Sequence, residues 1–176
     1  MENVVVSIFD IESEAFQAFS ELKQFGQTEN TKLAQALIVK AENGVINVKD
    51  NFDLIDSIGD GYFEGGLIGS LIGILGGPLG VLFGFAVGGV IGGSVGSYEE
   101  LANSALIITV SNKLTNGEVA IIALVQENDE SVLNAIFEKY QVDIVRWDVA
   151  TVAAEIESAL KIQKDLEHQA KARLIA

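Results

Sequence analysis

Five carboxylates, Asp50, Asp53, Asp56, Asp60 and Glu64, recur at intervals of three, three, four and four residues. On a helix that spacing gathers them near one face, where oxygen ligands could hold a hard cation. It equally describes a solvated acidic face at a helix start, where the macrodipole favours negative charge. No EF-hand spacing is present, so the solvated face is the preferred reading and no metal site is expected. Cys is absent, which removes disulfides, thiolate ligands and a thiol nucleophile. His168 is the single histidine, expected on the exposed side of the last helix beside Glu167 and Lys171. It therefore offers no paired metal ligand, and Ser57, Ser70 and Ser94 lack a histidine partner for nucleophilic catalysis. Trp147 alternates with Val145 and Val149 and reads as sheet-face packing. No catalytic residue and no cofactor is expected, and an enzyme is the last of the readings.

What remains is glycine. Between Glu64 and Glu99 the chain carries no charged residue. Gly65, Gly69, Gly73 and Gly77 form one series four apart; Gly76, Gly80, Gly84, Gly88, Gly92 and Gly96 form a second. Four residues is nearly one helical turn, so each series draws a stripe down a helix face. Glycine is a poor helix former, and such stripes serve close backbone approach between helices. The expected self-association surface is therefore Gly65, Gly69, Gly73, Gly77, Gly80, Gly84, Gly88, Gly92 and Gly96. The segment lacks a Lys-Ser/Thr ending, so it does not read as a phosphate-cradling loop.

The elements around this segment read as two halves. Val4–Phe9 is a β-branched strand, Ser13 caps a helix carrying Phe16, Phe19, Leu22 and Phe25, and Gly26 lies past its end. Ala34–Ala41 and Val45–Phe52 are strands joined by the Asn43-Gly44 turn. Further on, Glu118–Gln126 is a strand, Glu130–Tyr140 an amphipathic helix, Val142–Val149 a strand, and Thr151 to about Arg173 a long helix. Tyr98–Leu114 reads as a helix, although Leu106–Val110 is β-branched enough for a strand. That last helix, with Val149, Val152, Ile156, Ala159, Leu166 and Ala170 at three-four spacing, packs on the sheet or pairs with another subunit.

The predicted class is α+β: a ferredoxin-like antiparallel sheet, split by a glycine-zipper helical hairpin, plus a long C-terminal helix. The boundaries are 1–60 for the N-terminal βαββ half, 61–98 for the hairpin, 99–149 for the C-terminal βαβ half and 150–176 for the amphipathic helix. The two covering helices share one face of the sheet. The hairpin turns at Gly76–Gly80 around Pro78, and is expected to leave and rejoin the sheet at nearby points. Since the halves meet without it, its removal is expected to leave a soluble folded domain.

These residues resemble a bacterial family of unknown function labelled "membrane protein of uncharacterised function". The resemblance rests on the Val4–Asp10 strand with its acidic helix start, on Gly65-Gly66-Leu67-Ile68-Gly69-Ser70-Leu71-Ile72-Gly73, on the Gly-Pro turn, and on Gly84–Gly96. It covers most of residues 1–149, with the long C-terminal helix beyond the common pattern. It implies no catalytic residues.

A membrane seat has arguments on both sides. The arms Gly61–Leu75 and Val81–Ser97 reach roughly 22 and 26 Å at ~1.5 Å per residue, against a hydrocarbon core of about 30 Å. The flanks are acidic, the nearest basic residues are Lys49 and Lys113, and only Tyr62 and Tyr98 could mark an interface. Leu67, Leu71, Leu75, Leu82, Phe85 and Ile91, opposite the stripes, could face lipid or sister subunits. No basic n-region opens the chain, so no signal peptide is expected. The net charge of −14 excludes a general nucleic-acid-binding surface. The expected partners are copies of the chain and membrane lipid, in a cytoplasmic, membrane-associated setting. The alternatives are a soluble homo-oligomer with hairpins buried between subunits, and a small-ligand or cation-binding sensor.

Overall fold

The structure is a computed structural model that describes residues 1–54, 66–75 and 105–175. Its elements are β1 (Glu2–Phe9), α1 (Glu12–Phe25), β2 (Thr31–Glu42), β3 (Val45–Asp53), α2 (Gly66–Leu75), α3 (Ala105–Lys113), β4 (Val119–Glu127), α4 (Ser131–Glu138), β5 (Val145–Asp148) and α5 (Val149–Ile175). The five strands form one antiparallel sheet in the order β3-β2-β4-β1-β5. Without β3, the order β2-β4-β1-β5 is the ferredoxin-like one. The β3 strand is an added edge, hung on the hairpin through Asn43 and Gly44. Both turn residues have positive φ, 54° and 76°, the signature of a tight two-residue hairpin.

Alternation along the strands divides two cores. On one face Val5, Phe9, Leu33, Ile121 and Ala123 meet Phe19 and Leu22 of α1 and Leu133, Ile136 and Phe137 of α4. On the other, Val4, Val6, Val39 and Ile122 meet α2, α3 and α5. The two βαβ helices thus share a face as the strand order requires, and three further helices close the other. One polar cluster is built into the first face. Arg146 on β5 reaches over β1 to Glu127 on β4 with two parallel contacts, Nε–Oε2 at 2.9 Å and Nη2–Oε1 at 3.1 Å.

Leu106–Val110 is helical, within α3, as the reading of Tyr98–Leu114 expects and not the strand its β-branched residues also allowed. Other expectations change. Ile11, not Ser13, occupies the N-cap of α1, with no side-chain cap. Asp50 and Asp53 lie on strand β3, so they share no helix face; Asp50 pairs with Lys23 at 3.3 Å and Asp53 accepts from Gln35 Nε2 at 2.9 Å. Asp56, Asp60 and Glu64 lie outside the described residues, as do Pro78 and the turn and second arm expected around it.

The chain re-enters the sheet at a different level from the one at which it left. Both β3 and β4 run antiparallel to β2, on its two sides, so they run in the same direction. Asp53 ends β3 opposite Gln35, whereas Val119 begins β4 opposite Lys40. The chain from β3 to β4 must therefore advance along β2 from the level of Gln35 to that of Lys40, and α2 and α3 lie between those two strands in sequence.

Candidate functional site

The described part of the glycine segment is α2. Leu67, Ile68, Leu71, Ile74 and Leu75 fall on one stripe of a 3.6-residue helix, and all five are buried in the core above the sheet. Leu67, Leu71 and Leu75 thus face the protein's own interior, which corrects the expectation that they face lipid or a sister subunit. The reason is the apolar sheet face beneath them, which would otherwise stand in water.

Gly69 and Gly73 lie on the opposite, exposed side of α2. A Cβ added at either would meet no atom within 4 Å. These two predicted residues therefore share an open, narrow helix face. Gly65, Gly77, Gly80, Gly84, Gly88, Gly92 and Gly96 lie outside the described residues.

The seating of α2 is fixed at its first residue. Gly66 has φ +73°, and a Cβ there would lie 2.6 Å from Gln35 Nε2. The same amide nitrogen holds Asp53 at the end of β3. The neighbouring helices are tied as well: Glu155 on α5, almost fully buried, accepts a hydrogen bond from the Leu106 N–H at the start of α3, at 3.2 Å. An acceptor at a helix N-terminus satisfies an orphan donor and meets the positive end of the dipole.

A second feature escaped the sequence reading. The short strand β5 pairs with β1 only from Asn3 to Val6. Beside the remainder of β1, which pairs with β4 but not with β5, opens a cleft of about 400 Å³. Val6, Ile8 and Trp147 supply apolar lining; Asp10, Glu14, Asp143 and Lys113 supply charge. Tyr140 also borders it, and its hydroxyl donates to Glu21 Oε1 at 2.6 Å. That bond, with some burial, pushes the phenol up to about 12. Lys139 first, then Tyr140, hold the Glu21 carboxyl below the usual range. The signal in the sequence was Trp147 itself, but the cleft joins residues from α1, α3 and the approach to β5, which no local pattern connects.

His168 is exposed on α5, as expected. Among the described residues, no group of three or more acidic or histidine side chains is placed to hold a metal ion. Among them, too, no helix is long and apolar enough to cross a membrane.

The strand order and the two helical layers define an α+β protein with a ferredoxin-like sheet enlarged by an edge strand and an inserted helical layer. The chain belongs to the family described as a protein of unknown function (DUF1269), whose model matches residues 62–173. That match takes in nearly all of α5, so the long helix belongs to the family pattern and is not an extension beyond it. No curated protein and no solved structure matches the chain.

Proposed function

We propose that this chain is a non-enzymatic, self-associating protein whose contact surface is the glycine face of α2 together with the glycines of the uncharged segment that follows it. The observation carrying this reading is the two-sidedness of α2. One side is committed to the core, while Gly69 and Gly73 leave the other side bare and accessible to a neighbouring helix. Small residues at four-residue spacing permit close backbone approach. The partner on this reading is a second copy of the chain.

The test is to introduce Gly69→Leu and Gly73→Leu together. Both side chains enter open space within the chain, so the fold is expected to persist by circular dichroism. At a tight contact, overpacking costs about 1–3 kcal/mol per site, and particle mass by light scattering is expected to fall. An unchanged mass would end the reading.

Membrane docking is the second reading, favoured by the absence of charge from residue 65 to residue 98. It predicts that the chain floats with lipid vesicles and sediments with membranes in the absence of detergent. Recovery of the full chain as a lipid-free particle would decide against it.

A further inference from the structure

We propose that the end of α5 seats in the Trp147 cleft of a second copy, so that chains associate head to tail. The proposal rests on the self-association reading but uses a different surface from α2.

The first observation is the charge of α5. Lys161, Lys164, His168 and Lys171 recur at three, four and three residues, which places them along one helix face, and all four are exposed. Residues 161–175 hold four of the chain's 11 basic residues but only two of its 25 acidic ones. The helix is anchored in the core through Val152, Ile156, Ala159 and Ile162, and residues 167–175 are exposed. Leu174 is 87% exposed at its end. An exposed basic stripe beside an exposed aliphatic residue calls for an acidic partner with an apolar recess.

The second observation is that the chain carries such a recess. The cleft offers three carboxylates, Asp10, Glu14 and Asp143, against one ammonium, Lys113, around an apolar lining that includes Trp147. Its volume of about 400 Å³ lies within the range of clefts that hold ligands. A lysine or arginine stem covers apolar surface while its head stays at a charged rim.

The third is reach. Trp147 stands two residues before α5, and Leu174 lies about 37 Å further along the helix at ~1.5 Å per residue. A rigid helix cannot bring its end back to the cleft beside its own beginning. The contact is therefore between chains, and each chain offers one tail and one cleft. Such a contact is heterologous and propagates into a ring or an open array.

The test uses the full chain and two charge-reversed variants, Lys164→Glu with Lys171→Glu, and Asp10→Lys with Asp143→Lys. All four positions are exposed, so circular dichroism is expected to match the unsubstituted chain. In low salt the unsubstituted chain is expected to scatter as a multiple of its own mass, and in high salt to lose that association. Each variant alone is expected to show, in low salt, only the mass the unsubstituted chain retains in high salt. An equimolar mixture of the two is expected to regain the lost mass, because acidic tails then meet basic clefts and basic tails meet acidic ones. A variant that keeps the full mass, or a mixture that regains nothing, would overturn the proposal. So would a tail variant of unchanged mass that has lost binding to phosphatidylserine vesicles, which would assign the stripe to lipid. If only the Gly69→Leu, Gly73→Leu variant lowers the mass, self-association stands and this contact does not.

Discussion

Arg146 and Glu127 grip each other across an intervening strand. Asn3 of β1 sits between them and also reaches Glu127 Oε2, at 3.5 Å, while Asn134 of α4 accepts from the same guanidinium at 2.9 Å. The Glu127 side chain is 1% exposed, so its charge has almost no water to fall back on. The pair thus bolts β4, β1, β5 and α4 together at one end of the sheet.

Arg146→Met is therefore expected to cost about 3–5 kcal/mol, because it leaves a buried carboxylate without its counter-charge. The double change Arg146→Met, Glu127→Met is expected to recover most of that loss. Urea unfolding midpoints at constant slope measure both.

Two glycines about 4.5 Å apart along the helix, at ~1.5 Å per residue, are expected to respond in opposite directions. Gly66→Ala must place a side chain at positive φ and displace the Gln35 amide from Asp53. Left-handed backbone alone costs roughly 1–2 kcal/mol. Gly69→Ala meets open space in an ordinary helical position and gains up to about 1 kcal/mol in helix propensity. Thermal melting is expected to separate the two, at about 2–4 °C per kcal/mol for a chain of this size.

Removal of residues 65–97 is expected to leave an unstable, aggregating product, contrary to what the pairing of two halves predicts. The deletion strips Leu67, Ile68, Leu71, Ile74 and Leu75 from the core over the sheet. Leu71→Ala samples the same dependence gently and is expected to cost about 2–5 kcal/mol. A deletion product that stays monodisperse, with native circular dichroism, would show that α2 is dispensable.

Tyr140→Phe keeps the ring beside Phe9 but removes the donor to Glu21. The phenol's folded pKa of about 12 lies above its ordinary 10.0, so its contribution is complete below pH 10 and disappears as pH rises through 10 towards 12. Glu21 is held below 4.5, so its contribution is present above that pH and fades as pH falls further. The stability difference between the two proteins is expected to be flat between those limits and to shrink beyond each. Denaturant titrations across pH read it directly.

Much of the sheet was legible because its signals are local. The Val4–Phe9 run, the Asn43-Gly44 turn and the amphipathic face of α4 each lie within a few residues. The acidic series misled because a three-residue interval is silent on whether it lies on a helix, and the Asn-Gly hairpin already committed Asp50 and Asp53 to β3. Leu106–Val110 is β-branched yet helical, since Leu106, Ile107 and Val110 find an apolar layer and Glu155 receives the first free N–H. That acceptor lies 49 residues away. The Trp147 cleft is likewise assembled only by tertiary contact. The glycine period was visible at once, but which side of α2 turns inward depends on the sheet face beneath it.

The place of β4 carries a consequence for how the chain is made. It is a central strand, with β2 on one side and β1 on the other, yet β1, β2 and β3 are complete by Asp53 and β4 begins only at Val119. On the ribosome, the intervening 65 residues take about 3–13 s at 5–20 residues per second. Throughout that interval the nascent chain holds three strands of a sheet whose middle position is vacant. The unpaired backbone edges of β1 and β2 wait there for a strand not yet translated, while the apolar, chargeless stretch emerges after them. A holding chaperone, or immediate burial of α2 against the unfinished sheet, would answer the hazard, and slow codons placed before Val119 would aggravate it.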